Sequence, residues 1–151
     1  MSLNTEENRK RIITLFPGLA TDNQFVVTSP IDKKYNCIAY AANKTDKWWW
    51  PAIEDGVYWP LDNHDMLFPN LILAFETIGY RVCETWEFEE KYKKIALYID
   101  EDGEFTHAAR QMRSGVWTSK LGEVFDIFHG NPYTIEGDAY GKVGAFMSII
   151  F

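Results

Sequence analysis

Between Tyr80 and Leu121 the chain is cut into short apolar runs by tight-turn signals, and this punctuation restricts it to an antiparallel sheet. Tyr80-Arg81-Val82-Cys83-Glu84 alternates in the manner of a strand. Ile95-Ala96-Leu97-Tyr98-Ile99 is a continuous apolar run that ends at Asp100-Glu101-Asp102-Gly103, a strong turn signal. Glu104 to Met112 is the next predicted strand, Arg113-Ser114-Gly115 the next turn, and Val116 to Leu121 a third strand. Turns this short join antiparallel neighbours, so residues 80–122 are expected to form the core meander. Glu123 to His129 reads as a short helix or a bent strand, and Gly144 to Phe151 as a final apolar strand.

The first half has helical spacing instead. Thr5 to Phe16 predicts an amphipathic helix with Thr5 as N-cap, acidic residues in the first turn and a stop at Pro17-Gly18. Residues 19–34 read as an irregular approach, with a short extended piece at Phe25-Val26-Val27-Thr28 and a break at Ser29-Pro30. Asn36 caps a predicted helix from Cys37 to about Asn43. Asp65 to Ile78 predicts another, with Pro69 in its first turn and Gly79 at its end. Helices followed by an antiparallel sheet define an α+β fold, and 151 residues suit a single domain, 1–151.

With 46% hydrophobic and 16% aromatic residues, the chain can bury a core without disulfides. A net charge of −7 and only short basic runs (Arg9-Lys10-Arg11, Lys91-Tyr92-Lys93-Lys94) argue against a nucleic-acid surface. No apolar run has membrane-spanning length and the N-terminus is polar, so a cytoplasmic, reducing setting is expected, with Cys37 and Cys83 as free thiols. Three singly placed histidines lack metal-ligand spacing, and Asp100 to Glu104 lacks calcium-loop spacing, so neither metal nor cofactor is expected.

Two residues carry the chemistry. Cys37 lies at the start of its helix, and His107 lies in the strand Glu104 to Met112. A helix start and an imidazole both favour a thiolate, so the pair has the makings of an activated nucleophile. Strand alternation puts Phe105, His107, Ala109 and Gln111 on one face and Thr106, Ala108, Arg110 and Met112 on the other. Cys83, beside Val82 on a strand, reads as structural.

Asn36-Cys37 heading a helix, Thr106-His107 opening a strand and a further strand after a short turn resemble the papain-like cysteine hydrolases. The compact bacterial NlpC-type peptidases and amidases are nearest in size and order. His107-Ala108-Ala109-Arg110-Gln111, followed by Gly115 to Gly122, is also similar to an uncharacterised bacterial group of this type. The resemblance spans roughly residues 30 to 125. It implies that Cys37 attacks an amide or peptide carbonyl to give a thioester, with His107 taking and returning the proton. It implies an oxyanion donor near the Cys37 amide, for which Gln24, Tyr35 and Asn36 are candidates. It also implies a polar residue that orients the imidazole. Ser119 is the candidate here, with His129 as the alternative, in place of the usual His, Asn, Asp or Gln.

The long segment 44–69 is rich in aromatics and prolines. Trp48-Trp49-Trp50 cannot all face one core; they form either a wall of a substrate cleft or ordinary packing over the sheet. The expected partner is a peptide or amide-containing small substrate, or a protein. The competing expectation is a catalytically inactive papain-like binding domain that works through the Trp-rich loop. Glu54-Asp55 and the glutamates near Glu87 give no defined pair for glycoside chemistry.

Overall fold

A computed structural model of the chain describes residues 2–30, 32–44, 46–121 and 125–151. The described elements run α1 (Glu6–Leu15), β1 (Val26–Pro30), α2 (Cys37–Ala41), β2 (Trp48–Trp49), β3 (Val57–Tyr58), α3 (Phe68–Glu76), β4 (Arg81–Cys83), β5 (Tyr92–Ile99), β6 (Phe105–Gln111), β7 (Trp117–Leu121), β8 (Phe125–His129) and β9 (Lys142–Ile150). One-turn 3₁₀ segments occupy Pro17–Thr21 and Pro132–Ile135.

Seven strands form one sheet in the order β1-β8-β7-β6-β5-β9-β4, antiparallel at each pairing. The α+β class is therefore observed. The meander, however, is β5 to β8, and it is wider than expected. β9 inserts beside β5, and β4 pairs with β9 rather than with β5, so Tyr80 to Glu84 lies outside the meander. β1 continues through Ser29 and Pro30 because it closes the far edge against β8, where a proline lacking an N–H is tolerated. Of the segment Glu123 to His129, expected as a short helix or a bent strand, Glu123 and Val124 lie outside the described residues, and Phe125 to His129 is strand.

The apolar run of β5 explains the layering. Ile95 and Leu97 face α2 and α3, in a core with Ile38, Leu71, Phe75 and Met147. Ala96 and Tyr98 face α1, in a second core with Ile12, Phe16, Leu19, Trp117 and Ile127. A strand buried on both faces reads as an unbroken apolar run rather than an alternating one. Each fully buried large side chain contributes on the order of 2 kcal/mol of transfer free energy. Thr5 caps α1 by accepting the Asn8 amide at 3.1 Å. Asn36 caps α2, which is shorter than expected and ends at Ala41. No helix among the described residues is long and apolar enough to cross a membrane.

Two irregularities in β6 shape everything near Cys37. Tyr98 lies opposite His107 but Ile99 opposite Phe105, so Thr106 is an extra residue in the strand, a β-bulge. The bulge corrects the expected alternation. Phe105 turns to the α2 side, where it stacks on Trp59 at 5.8 Å, while His107 and Ala109 face the α1 side. In addition, β6 pairs with β7 only through Arg110↔Thr118 and Gln111↔Trp117. Toward Phe105 the two strands part, and the unpaired edge of β6 is open to side chains.

Candidate functional site

A cleft of about 470 Å3 lies at this opening, within the usual size range for a small-molecule site. Tyr35, Cys37, Trp48, Trp50, Lys120 and Tyr140 are among its lining residues. Asn36 builds its floor. The Asn36 Oδ1 accepts the Ala39 amide at 3.1 Å, capping α2, and also the Trp49 amide at 3.1 Å. The Asn36 Nδ2 donates to the Trp49 carbonyl at 2.8 Å. One side chain thus fixes the start of α2 and ties the aromatic segment to it. These bonds fill the oxygen and one of the two Nδ2 hydrogens, so Asn36 is a scaffold for the cleft. Asn36→Ala is expected to lower unfolding free energy by about 2 kcal/mol, read by urea denaturation, with the larger part from the buried Trp49 groups left unpaired.

The three consecutive tryptophans divide as their spacing requires. Trp48 and Trp50 line the cleft. Trp48 is held by its Nε1 donating to the Lys33 carbonyl at 2.8 Å, and Trp50 meets the Phe105 ring edge-on at 5.3 Å. Trp49 turns the other way and packs at 3% exposure against Phe75 and Tyr58, so it belongs to the core and not to the cleft. Gln24 also falls away from the site. It is exposed beside Asp22, whose carboxylate accepts the Gln24 backbone N–H at 2.9 Å. Tyr35 remains in the cleft wall, stacked on Tyr40 at 6.1 Å.

Cys37 is half-buried at the first position of α2 and is a free thiol, as is Cys83. Burial pushes the Cys37 thiol up to about 11. The amides of Ala108, Ile38 and Cys37 itself, and the Lys120 ammonium, pull the other way without overcoming it. A helix of five residues has little dipole to offer, so the resting sulfur is a protonated thiol. The influence of the Ala108 amide places the sulfur beside the open edge of β6, next to the residue that follows His107.

His107 is fully buried on the α1 side of the same strand. Its ring lies parallel to that of Tyr140 at 4.1 Å, and Tyr140 in turn lines the cleft. Thr106 anchors Tyr140 by donating to its carbonyl at 2.5 Å. Thiol and imidazole thus come to β6 from different sides, and no hydrogen bond joins them. The His107 Nδ1 has no hydrogen-bond partner among the described residues.

The other ring nitrogen begins a continuous chain. The His107 Nε2 lies 3.1 Å from the Ser119 Oγ, which lies 2.8 Å from the His129 Nε2. The His129 Nδ1 lies 2.9 Å from the Asn131 carbonyl. Sequence reasoning offered Ser119 and His129 as alternatives; the structure uses both in series. Burial pushes His107 well below its usual range, with His129 adding to the effect. His129 is lowered to about 4, again by burial, against the opposing influence of the Asn131 carbonyl and Asp22. Both rings are therefore neutral near pH 7.

Neutrality fixes the direction of every hydrogen in the chain. A carbonyl only accepts, so the His129 Nδ1 carries its proton and the Nε2 offers a lone pair. The Ser119 hydroxyl must then donate to His129, leaving its oxygen to accept from the His107 Nε2–H. The remaining nitrogen of His107, the Nδ1, bears a lone pair and has nothing to accept among the described residues.

Sequence reasoning missed Lys120 and Tyr140. Lys120 had a visible signal, a cation in the otherwise buried strand Trp117–Leu121. Tyr140 had none, since the turn that presents it is set by the Gly137–Gly141 bridge.

Residues 26–148 match the family described as "Domain of unknown function (DUF7689)", and the chain belongs to it. No curated protein and no solved structure matches the chain.

Proposed function

We propose that this domain is a cysteine hydrolase of papain-like type that cleaves an amide or peptide bond through a thioester on Cys37. The observation that carries the reading is the buried, unpartnered Nδ1 of His107, held as a lone pair by the Ser119–His129–Asn131 chain. A buried polar atom left unsatisfied costs about 1–3 kcal/mol. A base awaiting a proton accounts for that cost.

The steps follow from the groups present. The Cys37 sulfur attacks the carbonyl carbon while its proton passes, through one water molecule at the open edge of β6 where the two sides meet, to the His107 Nδ1. The protonated imidazole gains from the Tyr140 ring face stacked on it. It then returns the proton to the departing amine as the C–N bond breaks. Water, deprotonated by the same nitrogen, hydrolyses the thioester and restores the thiol. Because the resting pair is neutral, His107 acts as a general base during attack rather than as the partner of a preformed thiolate. A cytoplasmic setting, where thiols remain reduced, suits this chemistry.

A reactive ester tests it. Incubation with p-nitrophenyl acetate is expected to acetylate Cys37 and not Cys83, read by peptide mass spectrometry, with nitrophenolate released beyond one equivalent. Acetylation at equal, slow rates on both thiols would remove the case for an activated sulfur.

A binding domain is the second reading. The observations in its favour are the thiol pushed up to about 11 and the lack of a Cys37–His107 hydrogen bond. On that reading Trp48 and Trp50 supply the working surface and the thiol remains inert in the ester assay.

A further inference from the structure

We propose that Lys120 is the specificity residue of the Cys37 cleft and that it selects ligands carrying a carboxylate. The inference rests on Cys37 being the reactive group of that cleft, and it concerns which substrates reach it.

Lys120 lines the cleft at 2% exposure. An ammonium presents three donors, yet its Nζ makes no hydrogen bond among the described residues. Its ion-pair partner, the Asp126 Oδ1, stands at 3.7 Å, outside hydrogen-bond reach, and is itself without a hydrogen-bond partner among the described residues. The other oxygen of Asp126 accepts the Ser29 hydroxyl at 2.9 Å. Asp126 therefore offsets the charge of Lys120 without satisfying its hydrogens. The Nζ lies 4.8 Å from the centre of the Tyr35 ring, which forms part of the cleft wall.

The remaining charges on the wall do not duplicate this role. Lys33 and Glu54 are exposed, where water screens them, and the half-buried Asp32 repels an anion. Tyr35, Trp48, Trp50 and Val57 make the rest of the wall largely apolar. A carboxylate entering beside them gains the donors that Lys120 has free, in surroundings where a charged hydrogen bond is strong. The favoured substrate class is an acyl compound with an apolar or aromatic body and a carboxylate close to the bond that meets the thiol.

Two alkylating reagents of nearly equal size and opposite electrostatic character test the idea. Iodoacetate carries a carboxylate; iodoacetamide does not. In each case sulfur bonds to the methylene carbon, iodide leaves with the bonding pair, and the thiol proton goes to His107 or to solvent. The quantity measured is the iodoacetate-to-iodoacetamide rate ratio at Cys37 in the folded chain at low salt, against the same ratio in the denatured chain.

The folded ratio is expected to exceed the denatured one by about fivefold or more. Lys120→Met combined with Asp126→Asn, which strands no carboxylate, should abolish the excess, while Asp126→Asn alone should raise it. Lys120→Arg should retain it. Near-UV circular dichroism confirms that each variant is folded, and should the double variant unfold, Asp126→Asn still decides. A folded double variant with an unchanged ratio, or an Asp126→Asn variant with no increase, overturns the proposal. A chain that neither reagent labels overturns it together with the assignment of Cys37. A charge preference without ester turnover supports carboxylate selection and discards the hydrolase.

Discussion

His107→Gln is expected to slow acyl transfer to Cys37 by about 10²- to 10⁴-fold, the usual worth of a positioned general base. Glutamine keeps a polar side chain near Ser119 but offers no basic nitrogen. The thiol, pushed up to about 11 by burial, then has no nearby group to take its proton. Ser119→Ala should cost less, about tenfold, because the imidazole survives and only its orientation and tautomer are released. Stopped-assay acetylation of Cys37 by p-nitrophenyl acetate measures both. Equal rates for wild type and His107→Gln would show that the sulfur works without the imidazole.

Acid is expected to destabilise the fold through His129 by about 3 kcal/mol between pH 6.5 and pH 4. The folded value of about 4 lies below the ordinary 6.5 of an exposed imidazole. Above 6.5 both folded and unfolded chains hold a neutral ring, and the full stability is present. As pH falls through that value, the unfolded chain takes up a proton that the folded chain refuses. Stability then drops until the folded ring protonates near 4. His107, shifted in the same direction, adds to the loss. Urea unfolding at about pH 7 and about pH 5 measures the slope, and His129→Gln should flatten it by about one proton. An unchanged slope in that variant would mean that His129 does not stay neutral in the folded chain.

The sheet was legible because its turns are written in residues that allow little else. Asp100 to Gly103 and Arg113 to Gly115 define the β5–β6 and β6–β7 hairpins. The Asn36 cap was legible for the same reason, since a short polar side chain before a small-residue run has one common use. The insertion of β9 beside β5 was not, because strand order depends on packing between segments over forty residues apart. The bulge at Thr106 was invisible as well. It places two successive residues against one partner and reverses the facing of Phe105 without any local sequence mark. Of the candidate site, Cys37, His107, Ser119 and His129 could be named from residue type and strand order, as could Tyr35, Trp48 and Trp50. What failed was sidedness. Trp49 and Gln24 were included by proximity in the chain, whereas alternation along β2 and the Asp22 contact carry them elsewhere.

The row that ends on the Asn131 carbonyl has polarity, like a line of arrows. Were His129 to gain a second proton, both of its nitrogens would donate, Ser119 would be forced to turn its hydroxyl toward the His107 Nε2, and the mobile hydrogen of His107 would move to the far side of its ring. One titration, remote from the sulfur, would thereby convert the waiting acceptor into a donor without displacing a heavy atom.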